Sequence, residues 1–215
     1  MTKIFFKTAQ ILMLLSLMFA VGCKKDKDSI STGDGVIING VKWATRNVDM
    51  PGTFAANPED AGMFYQWNRK IGWSATDPMV NSNGGTTWDS TNPTGTTWAP
   101  ANDPSPAGYR VPTEEEIESL CNKTYVTSVW TTENGVNGMR FTDNNNGNSI
   151  FLPAAGGRYY FNGTFDYDGT YGYYWSSTEY STNNAYGLVF FSPNVGVYVN
   201  LYKTYGFSVR PVVAE

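Results

Sequence analysis

Short apolar runs separated by turn-forming residues fill most of the chain after its first segment. Gly, Asn, Pro and Asp interrupt the apolar residues so often that most runs are no longer than a short strand. Such runs of β-branched and aromatic residues, bounded by turn formers, are typical of β-strands. We therefore expect strands over residues 36–38, 42–46, 139–141, 149–152, 187–191, 195–201 and 207–212.

One segment, residues 113–125, has the pattern of an α-helix. Thr113 is followed three residues later by Glu116, the spacing of a capping box, in which each side chain accepts a hydrogen bond from the backbone N–H of the other residue. The clustered glutamates are therefore interpreted as a helix start, where negative charge is favoured, and not as a catalytic pair. The apolar residues fall on one helical face, at Ile117, Leu120 and Cys121. We expect Cys121 to be a buried structural thiol.

A second, weaker helix is expected from residue 58 to about residue 70, where apolar residues recur at helical spacing. It is followed by a polar segment, residues 74–108, that is rich in Pro and Gly. Loops of that length are usually functional or mobile. Trp88 and Trp98 in this segment are therefore candidate ligand-binding residues. Strands and helices together predict an α+β fold class.

The first segment has the pattern of a secretion signal. Lys3 and Lys7 give a basic start, and residues 8–22 carry no charge and contain a long apolar run. This run is shorter than the roughly 20 apolar residues that span a bilayer. It ends in Ala-Val-Gly before Cys23, which resembles the lipobox of bacterial lipoproteins. The resemblance implies a lipoprotein signal peptide over residues 1–22 and acylation of the Cys23 thiol, for example with palmitate; the alternative is an ordinary signal peptide cut elsewhere, with Cys23 unmodified.

The residues after the signal peptide predict a flexible tether. Residues 23–35 are rich in Lys, Asp, Ser and Gly. Their charged start resembles the export tags of surface lipoproteins of the Bacteroides group; the alternative is a solvated linker. These features predict an outer-membrane lipoprotein, exposed at the cell surface and held in the membrane by its acyl chains. Residues 36–215 are then expected to form a single domain.

Composition excludes several functional classes. Removing residues 1–22 deletes two lysines and leaves 13 basic and 19 acidic side chains, a formal charge of −6. An acidic chain without a basic patch argues against nucleic-acid binding. The chain has no histidine, so it can form neither a Ser-His-Asp triad nor a His-liganded metal site. Once Cys23 is acylated, Cys121 has no partner for an intrachain disulfide, so the fold must be held by burial.

Six ordered motifs carry a resemblance to a known family across nearly the whole mature chain. They are INGVKWATRN at 38–47, GMFYQW at 62–67, NDPSPAGYRVPT at 102–113, FLPAAGGR at 151–158, GYYWSSTE at 172–179 and GFSVR at 206–210. In this order they resemble the Fibrobacter succinogenes major paralogous domain, which is common in exported bacterial lipoproteins. That domain is similar to the formylglycine-generating enzyme and to C-type lectins. The resemblance implies a compact C-type-lectin-like domain, with a twisted antiparallel sheet, flanking short helices and long loops.

The same resemblance does not imply an activity. Formylglycine-generating enzymes need a cysteine pair, and the mature chain offers only Cys121. The sugar-binding motifs of calcium-dependent lectins are missing as well. Residues 143–149 carry oxygen ligands but break the EF-hand spacing, so we expect a hairpin turn there, with a calcium site as the alternative. We therefore expect no enzyme activity, catalytic residue, metal or cofactor.

The segment 158–175 places eight Phe or Tyr residues and two aspartates among its glycines. Aromatic faces can stack on sugar rings while carboxylates bind their hydroxyls; the alternative is that these aromatics face a core or pair across strands. The candidate ligand-binding residues of its turn are Asp166, Tyr167, Asp168 and Tyr171.

These observations predict a protein of binding or adhesion, whose partners are the membrane, through the lipid anchor, and an extracellular glycan or surface protein. The predicted contact sites are the segment 74–108 and the turn 166–171. An alternative is a structural or accessory subunit of a surface appendage or outer-membrane assembly. A third interpretation, glycoside hydrolysis, requires an acid and a base about 5–10 Å apart, for which Asp166, Asp168 and Glu179 are the candidates.

Overall fold

β-strands form most of the secondary structure in the part of the chain that the structure describes. The computed structural model describes residues 35–214, which lie in one compact unit. This part contains one α-helix, α1 (Glu114–Cys121), and a short 3-10 helix (Pro100–Asn102). Its strands are β1 (Gly35–Ile38), β2 (Val41–Ala44), β3 (Phe64–Tyr65), β4 (Gly72–Trp73), β5 (Tyr109–Arg110), β6 (Val126–Glu133), β7 (Val136–Asp143), β8 (Ser149–Pro153), β9 (Gly157–Arg158), β10 (Phe165–Asp166), β11 (Gly172–Ser181), β12 (Asn184–Phe191), β13 (Asn194–Tyr202) and β14 (Val212–Val213).

The strands pair in five small antiparallel sheets. Their orders are β1-β2-β14-β5, β6-β7-β8, β11-β12-β13, β3-β4 and β9-β10. Most sheets are made of hairpins between consecutive strands, which tight turns can join. The first sheet is the exception, because β14 at the end of the chain pairs with β2 near its start, with Val212 opposite Trp43. The two ends of the described chain therefore lie side by side.

The sheet β11-β12-β13 has an apolar core on each face. Successive residues of a strand point to opposite faces, and β11 alternates accordingly. Tyr174 packs in one buried cluster with Leu188 and Phe190, together with residues of α1 and the sheet β6-β7-β8. Trp175 packs in a second buried cluster, with residues that lie before α1 and after β13. This sheet is therefore the central layer of the domain.

The expected helix is confirmed, although it is shorter than predicted. Thr113 accepts a hydrogen bond from the backbone N–H of Glu116, and Glu116 accepts one from the backbone N–H of Thr113, which completes the capping box. The Glu116 carboxylate also accepts two hydrogen bonds of 2.7 Å from the Arg110 guanidinium. Ile117 and Leu120 are buried, as expected. Cys121 is only half-buried, at the edge of the core.

The predicted α+β, C-type-lectin-like fold is wrong. The described residues form fourteen strands in five separate sheets with one eight-residue α-helix, instead of one twisted sheet flanked by helices. Two of the longest strands, β6 and β11, were absent from the expected set, because polar residues interrupt their apolar pattern. The predicted strands over residues 139–141, 149–152, 187–191 and 195–201 are confirmed and belong to β7, β8, β12 and β13. Of the segment 207–212, only residue 212 lies in a strand.

The second predicted helix, over residues 58–70, does not form. Gly62 and Asn68 have φ values of 66° and 54°, in the left-handed region that a helix cannot contain. Position 62 also requires glycine, because a Cβ atom there would lie 2.1 Å from the carbonyl oxygen of Val48. Between these two residues, Phe64–Tyr65 form β3. Close packing on Val48 thus decides the local conformation against helical propensity.

The predicted signal peptide (residues 1–22), the lipid attachment at Cys23 and most of the predicted tether (residues 23–35) lie outside the described residues. Within residues 35–214, no helix is long and apolar enough to cross a membrane.

Candidate ligand-binding site

A cavity of about 350 Å³ lies between the hairpin β9-β10 and the central sheet. This volume is at the small end of the range for ligand pockets, roughly 300–1,000 Å³. Val189, Phe191, Leu201 and Phe207 give it apolar walls, and Asp166 and Asn200 add polar groups. Its most frequent lining residue is tyrosine, at Tyr159, Tyr167, Tyr171, Tyr173, Tyr198 and Tyr205. We refer to it as the tyrosine cavity.

One wall of the tyrosine cavity is a row of nearly parallel rings. The ring of Tyr171 lies 5.6 Å from that of Tyr173, with 6° between their planes. Tyr173 lies 4.7 Å from Phe207 at 13°, and Phe207 lies 5.0 Å from Tyr205, also at 13°. Because adjacent rings share nearly one orientation, they present a continuous aromatic wall. We call Tyr171, Tyr173, Phe207 and Tyr205 the aromatic row.

Strand alternation explains why these rings meet. In β11, Tyr173 points to the face opposite Tyr174, and its cross-strand partner is Val189 of β12. Phe207 approaches the same face from the chain after β13, because its backbone pairs with that of Tyr65. Phe207 is 3% exposed and also packs 4.7 Å from the buried Trp175. The aromatic row is therefore anchored in the core at Phe207 and reaches the surface at its tyrosines.

A tight backbone contact holds the turn that closes the cavity. Gly156 has a φ of 66°, and a Cβ atom there would lie 2.2 Å from the carbonyl oxygen of Asp166. Only glycine permits this approach. The turn itself is stabilised by hydrogen bonds to the carbonyl oxygen of Tyr167, from the Thr170 hydroxyl at 2.8 Å and the Tyr171 N–H at 3.1 Å. Asp166 and Tyr171 are thus placed by backbone geometry.

Arg158 supports the cavity from β9. Its side chain is fully buried, and its guanidinium donates hydrogen bonds to the carbonyl oxygens of Ser74, Thr76 and Gly163. Burial lowers the pKa of this guanidinium, which the neighbouring Asp77 partly offsets. Arg158 therefore connects the loop at residues 74–76 and the loop at Gly163 to β9.

The hydroxyls of Tyr173 and Tyr205 in the cavity are protonated at neutral pH. Burial, together with the neighbouring tyrosines, raises the pKa of Tyr205 to about 12. Burial, and then the nearby Tyr167 and Tyr171, also raise the pKa of Tyr173 above its usual range. A protonated phenol can both donate and accept a hydrogen bond. The cavity thus combines aromatic faces with neutral hydroxyl groups.

Comparison with known proteins gives one partial match. Residues 127–212 match the model of a domain of unknown function (DUF8237), which is less than half of the chain. No curated protein and no solved structure matches the chain. The matched segment runs from β6 into β14 and contains every residue that lines the tyrosine cavity. The cavity therefore lies within the part of the chain that is similar to this domain.

The structure brings together three of the candidate residues from the sequence. Asp166, Tyr167 and Tyr171 all line the tyrosine cavity. Tyr167 is 52% exposed, and its ring lies 5.0 Å from that of Tyr171, with 63° between their planes. Asp168 is exposed and is not among the described lining residues. The turn predicted from the sequence thus supplies one side of the cavity.

The two candidate tryptophans of the segment 74–108 lie elsewhere. Trp98 is 6% exposed and packs in the second buried cluster, 6.0 Å from Trp67, with its Nε1 donating to the carbonyl oxygen of Asn102. Trp88 packs 4.9 Å from Trp73, and its Nε1 donates to the carbonyl oxygen of Tyr160. Neither is among the residues that line the cavity. Both tryptophans fasten the long segment to the domain.

Sequence reasoning missed most of the cavity. Tyr198 and Asn200 lie on β13, and Tyr205 and Phe207 follow it, far along the chain from the turn 166–171. One signal was present, because β13 places residues 198 and 200 on one face at a spacing of two. That spacing does not indicate that this face of β13 packs against the turn 166–171.

The candidate carboxylate Glu179 is engaged away from the cavity. Its Oε1 atom lies 2.6 Å from the Nζ atom of Lys203, which is buried and lies 4.4 Å from the centre of the Trp67 ring. This ion pair gives Glu179 a structural role, and its side chain is not among those that line the cavity. Within residues 35–214, no group of three or more Cys, Asp or Glu residues is placed to hold a metal ion.

The expected hairpin turn after β7 is confirmed. The Asp143 carboxylate accepts hydrogen bonds from the backbone N–H groups of Asn39 and Asn145, both at 2.8 Å, and from the Asn146 side chain. These bonds hold the pKa of Asp143 below its usual range. They also connect the turn to the loop after β1, which gives Asp143 a structural role.

Proposed function

We propose that this protein is a non-catalytic glycan-binding protein and that a sugar binds in the tyrosine cavity. The observation that carries the proposal is the aromatic row, whose partly exposed tyrosine rings stand beside Asp166 and Asn200. The C–H faces of a pyranose pack on aromatic rings, and its hydroxyls bond to carboxylate, amide and phenol groups. Apolar walls with a few placed polar groups are typical of small-ligand sites.

We further propose that the ligand is uncharged. Of the described residues that line the cavity, Arg158 is the cationic one, and its guanidinium is already bonded to backbone carbonyl oxygens. Asp166 would repel a carboxylated or sulfated sugar. The net negative charge of the mature chain would also repel an anionic sugar.

We propose that the protein is held at the outer membrane by acyl chains on Cys23 and faces the cell exterior. The lipobox-like sequence, the charged tether and the resemblance to exported lipoproteins support this location. Labelling cells with radioactive palmitate tests it, with Cys23→Ala as the variant. We expect label in the wild type and none in the variant, and an unlabelled wild type would contradict lipid anchoring.

The proposed binding can be tested by isothermal titration of the full-length chain, purified in a detergent without a sugar headgroup. The probes are cello-, xylo-, manno- and malto-oligosaccharides, with a uronic-acid oligosaccharide as the charged comparison. The cavity variants are Tyr171→Ala, Tyr173→Ala and Asp166→Asn. Tyr180→Ala is the matched control, because Tyr180 is 49% exposed but packs on Tyr186, away from the cavity.

We expect at least one neutral series to bind, the cavity variants to lose most of that affinity, and Tyr180→Ala to keep it. Binding of none of these sugars, or equal binding by folded cavity variants, would contradict the proposal. Capture of a stoichiometric protein partner from native membranes, together with no sugar binding, would favour the alternative of an assembly subunit. Thermal unfolding of each variant separates lost binding from lost folding.

A further inference from the structure

A group of four tyrosines continues the aromatic row beyond the tyrosine cavity. Tyr160 lies 4.5 Å from Tyr159, 4.8 Å from Tyr202 and 5.2 Å from Tyr205, measured between ring centres. Tyr205 also lies 6.2 Å from Tyr202, with 30° between the ring planes. We call these four residues the tyrosine cluster.

The tyrosine cluster shares rings with the cavity. Tyr159 and Tyr205 line the cavity, and Tyr205 is the last ring of the aromatic row. Tyr160 and Tyr202 are not among the described lining residues, so they lie beyond the cavity on the side of Tyr205. One aromatic surface therefore runs from Tyr171 inside the cavity to Tyr202 outside it.

The outer part of this surface is exposed to solvent. Tyr159 is 43% exposed, Tyr202 is 44% exposed, and Phe161, which follows Tyr160 in the chain, is 69% exposed. Aromatic residues grouped in the core need no further explanation, but a group that keeps its rings at the surface is typical of a contact site. None of these three exposed residues belongs to either of the two buried apolar clusters, so core packing does not explain their position.

Hydrogen bonds and the closely packed Trp88 ring hold the tyrosine cluster in place. The carbonyl oxygen of Tyr160 accepts a hydrogen bond of 3.1 Å from Trp88 Nε1, and the N–H of Tyr205 donates one of 2.9 Å to the carbonyl oxygen of Tyr202. Cβ atoms at Gly163 and Gly206 would lie 2.6 Å and 2.9 Å from the Trp88 ring, which shows how closely this ring is packed. Trp88 thus supports the cluster without lining the cavity, and a rigid surface loses less entropy on binding.

We infer that the tyrosine cluster is a second subsite, and that the ligand is a linear, uncharged oligosaccharide that extends from the tyrosine cavity across Tyr160 and Tyr202. This inference rests on the function proposed above. Consecutive sugar rings of a chain can pack on consecutive aromatic rings, whereas a single terminal sugar would occupy only the cavity. The cluster also offers phenol hydroxyls, and a hydrogen bond between Tyr159 and Tyr160 raises the pKa of Tyr160, so the Tyr160 hydroxyl is neutral.

The test is a chain-length series with the full-length protein. Cello-, xylo-, manno- and malto-oligosaccharides, from the disaccharide to the hexasaccharide, are titrated into the wild type and into Tyr160→Ala and Tyr202→Ala. Tyr202→Phe is the conservative variant, because it keeps the ring and removes the hydroxyl. Tyr173→Ala serves as the cavity variant, and Tyr180→Ala as the surface control.

For the wild type, we expect affinity to rise by at least about tenfold between the shortest bound sugar and the hexasaccharide, which corresponds to about 1.4 kcal/mol. Tyr160→Ala and Tyr202→Ala should abolish this rise and leave the affinity for the shortest bound sugar unchanged, while Tyr202→Phe should retain most of it. Tyr173→Ala should weaken every length.

Each contrary result has a distinct meaning. Binding that depends on Tyr173 but not on chain length would overturn the second subsite and leave the proposed function standing. Equal losses for short and long sugars in Tyr202→Ala would also overturn it. If none of the sugars binds the wild type, both the subsite and the proposed function are overturned.

Discussion

Tyr173 and Phe207 stack with their ring centres 4.7 Å apart and 13° between their planes, although one lies in β11 and the other follows β13. Phe207 is buried against Trp175, whereas Tyr173 is partly exposed in the tyrosine cavity. The pair therefore connects the second buried cluster to the candidate site. We therefore expect a substitution of Phe207 to alter both the packing of the core and the position of the Tyr173 ring in the cavity.

We first predict that Phe207→Ala destabilises the protein by about 3–5 kcal/mol, because it leaves a void among Tyr173, Trp175 and Tyr205. Phe207→Leu, which keeps more of the volume, should cost about 1.5 kcal/mol or less. Urea unfolding followed by circular dichroism measures both values. Similar costs for the two variants would contradict the close packing of this ring.

The second prediction concerns Trp98, which the structure places in the core. Trp98→Phe removes the hydrogen bond to the carbonyl oxygen of Asn102 and part of the contact with Trp67, so it should cost about 1–3 kcal/mol. The affinity of the folded variant for the sugars that bind the wild type should be unchanged. A loss of affinity without a loss of stability would instead place Trp98 in the binding site.

A third prediction concerns the buried ion pair of Lys203 and Glu179. Lys203→Met leaves the Glu179 carboxylate, which is 19% exposed, without its partner and should cost about 3 kcal/mol or more. The double variant Lys203→Met, Glu179→Leu should recover most of that loss, because a buried ion pair is often no better than apolar residues of similar size. Urea unfolding of the wild type, both single variants and the double variant gives the coupling energy. Strict additivity of the single costs would contradict this account.

The fourth prediction is a loss of stability in acid. Hydrogen bonds from the Asn39 and Asn145 N–H groups lower the pKa of Asp143. For Glu116, burial acts to raise the pKa, but hydrogen bonds from Arg110 and Thr113 outweigh it, so the pKa is lowered. Because both folded-state values lie below the ordinary values of 3.8 and 4.5, their stabilisation is complete above those values and is lost as the pH falls through the folded-state values.

This pH dependence can be measured as the free energy of unfolding from about pH 6 to about pH 2. Asp143→Asn should be less stable than the wild type at neutral pH and should lose less stability on acidification. Glu114 acts in the opposite direction, since burial and Glu118 raise its pKa. Glu114→Gln is therefore the contrasting variant, with an acid loss at least as steep as that of the wild type. Parallel curves for Asp143→Asn and the wild type would contradict the role of Asp143.

Local signals predicted part of this structure correctly. The capping box at Thr113 and Glu116 was readable because both partners lie within one helical turn. The hairpin turn at Asp143 was readable because asparagine and glycine favour such turns regardless of their surroundings. Three of the candidate residues of the turn 166–171 lie together at the tyrosine cavity, and their role in binding stays a prediction. In each case the signal lies in residues that are close in the chain.

Predictions that depended on distant contacts were wrong or incomplete. Helical spacing over residues 58–70 was overridden by the contact of Gly62 with Val48. The α+β expectation was wrong because β6 and β11 form against neighbouring strands, and their own sequences alternate poorly. Trp98 could not be told from a surface tryptophan, because composition carries no information about which rings become buried.

The sequence by itself determined the helix cap, the turn after β7, the positions of β1, β2, β7, β8, β12 and β13, and the polarity and charge of the chain, since these depend on residues within a few positions of each other. The tertiary structure alone decided that Tyr173, Phe207 and Tyr205 form one aromatic row and that Trp88 and Trp98 serve as supports. The physical reason is that a ring's partners and exposure are set by which strands and loops pack together, and that packing is a property of the whole chain.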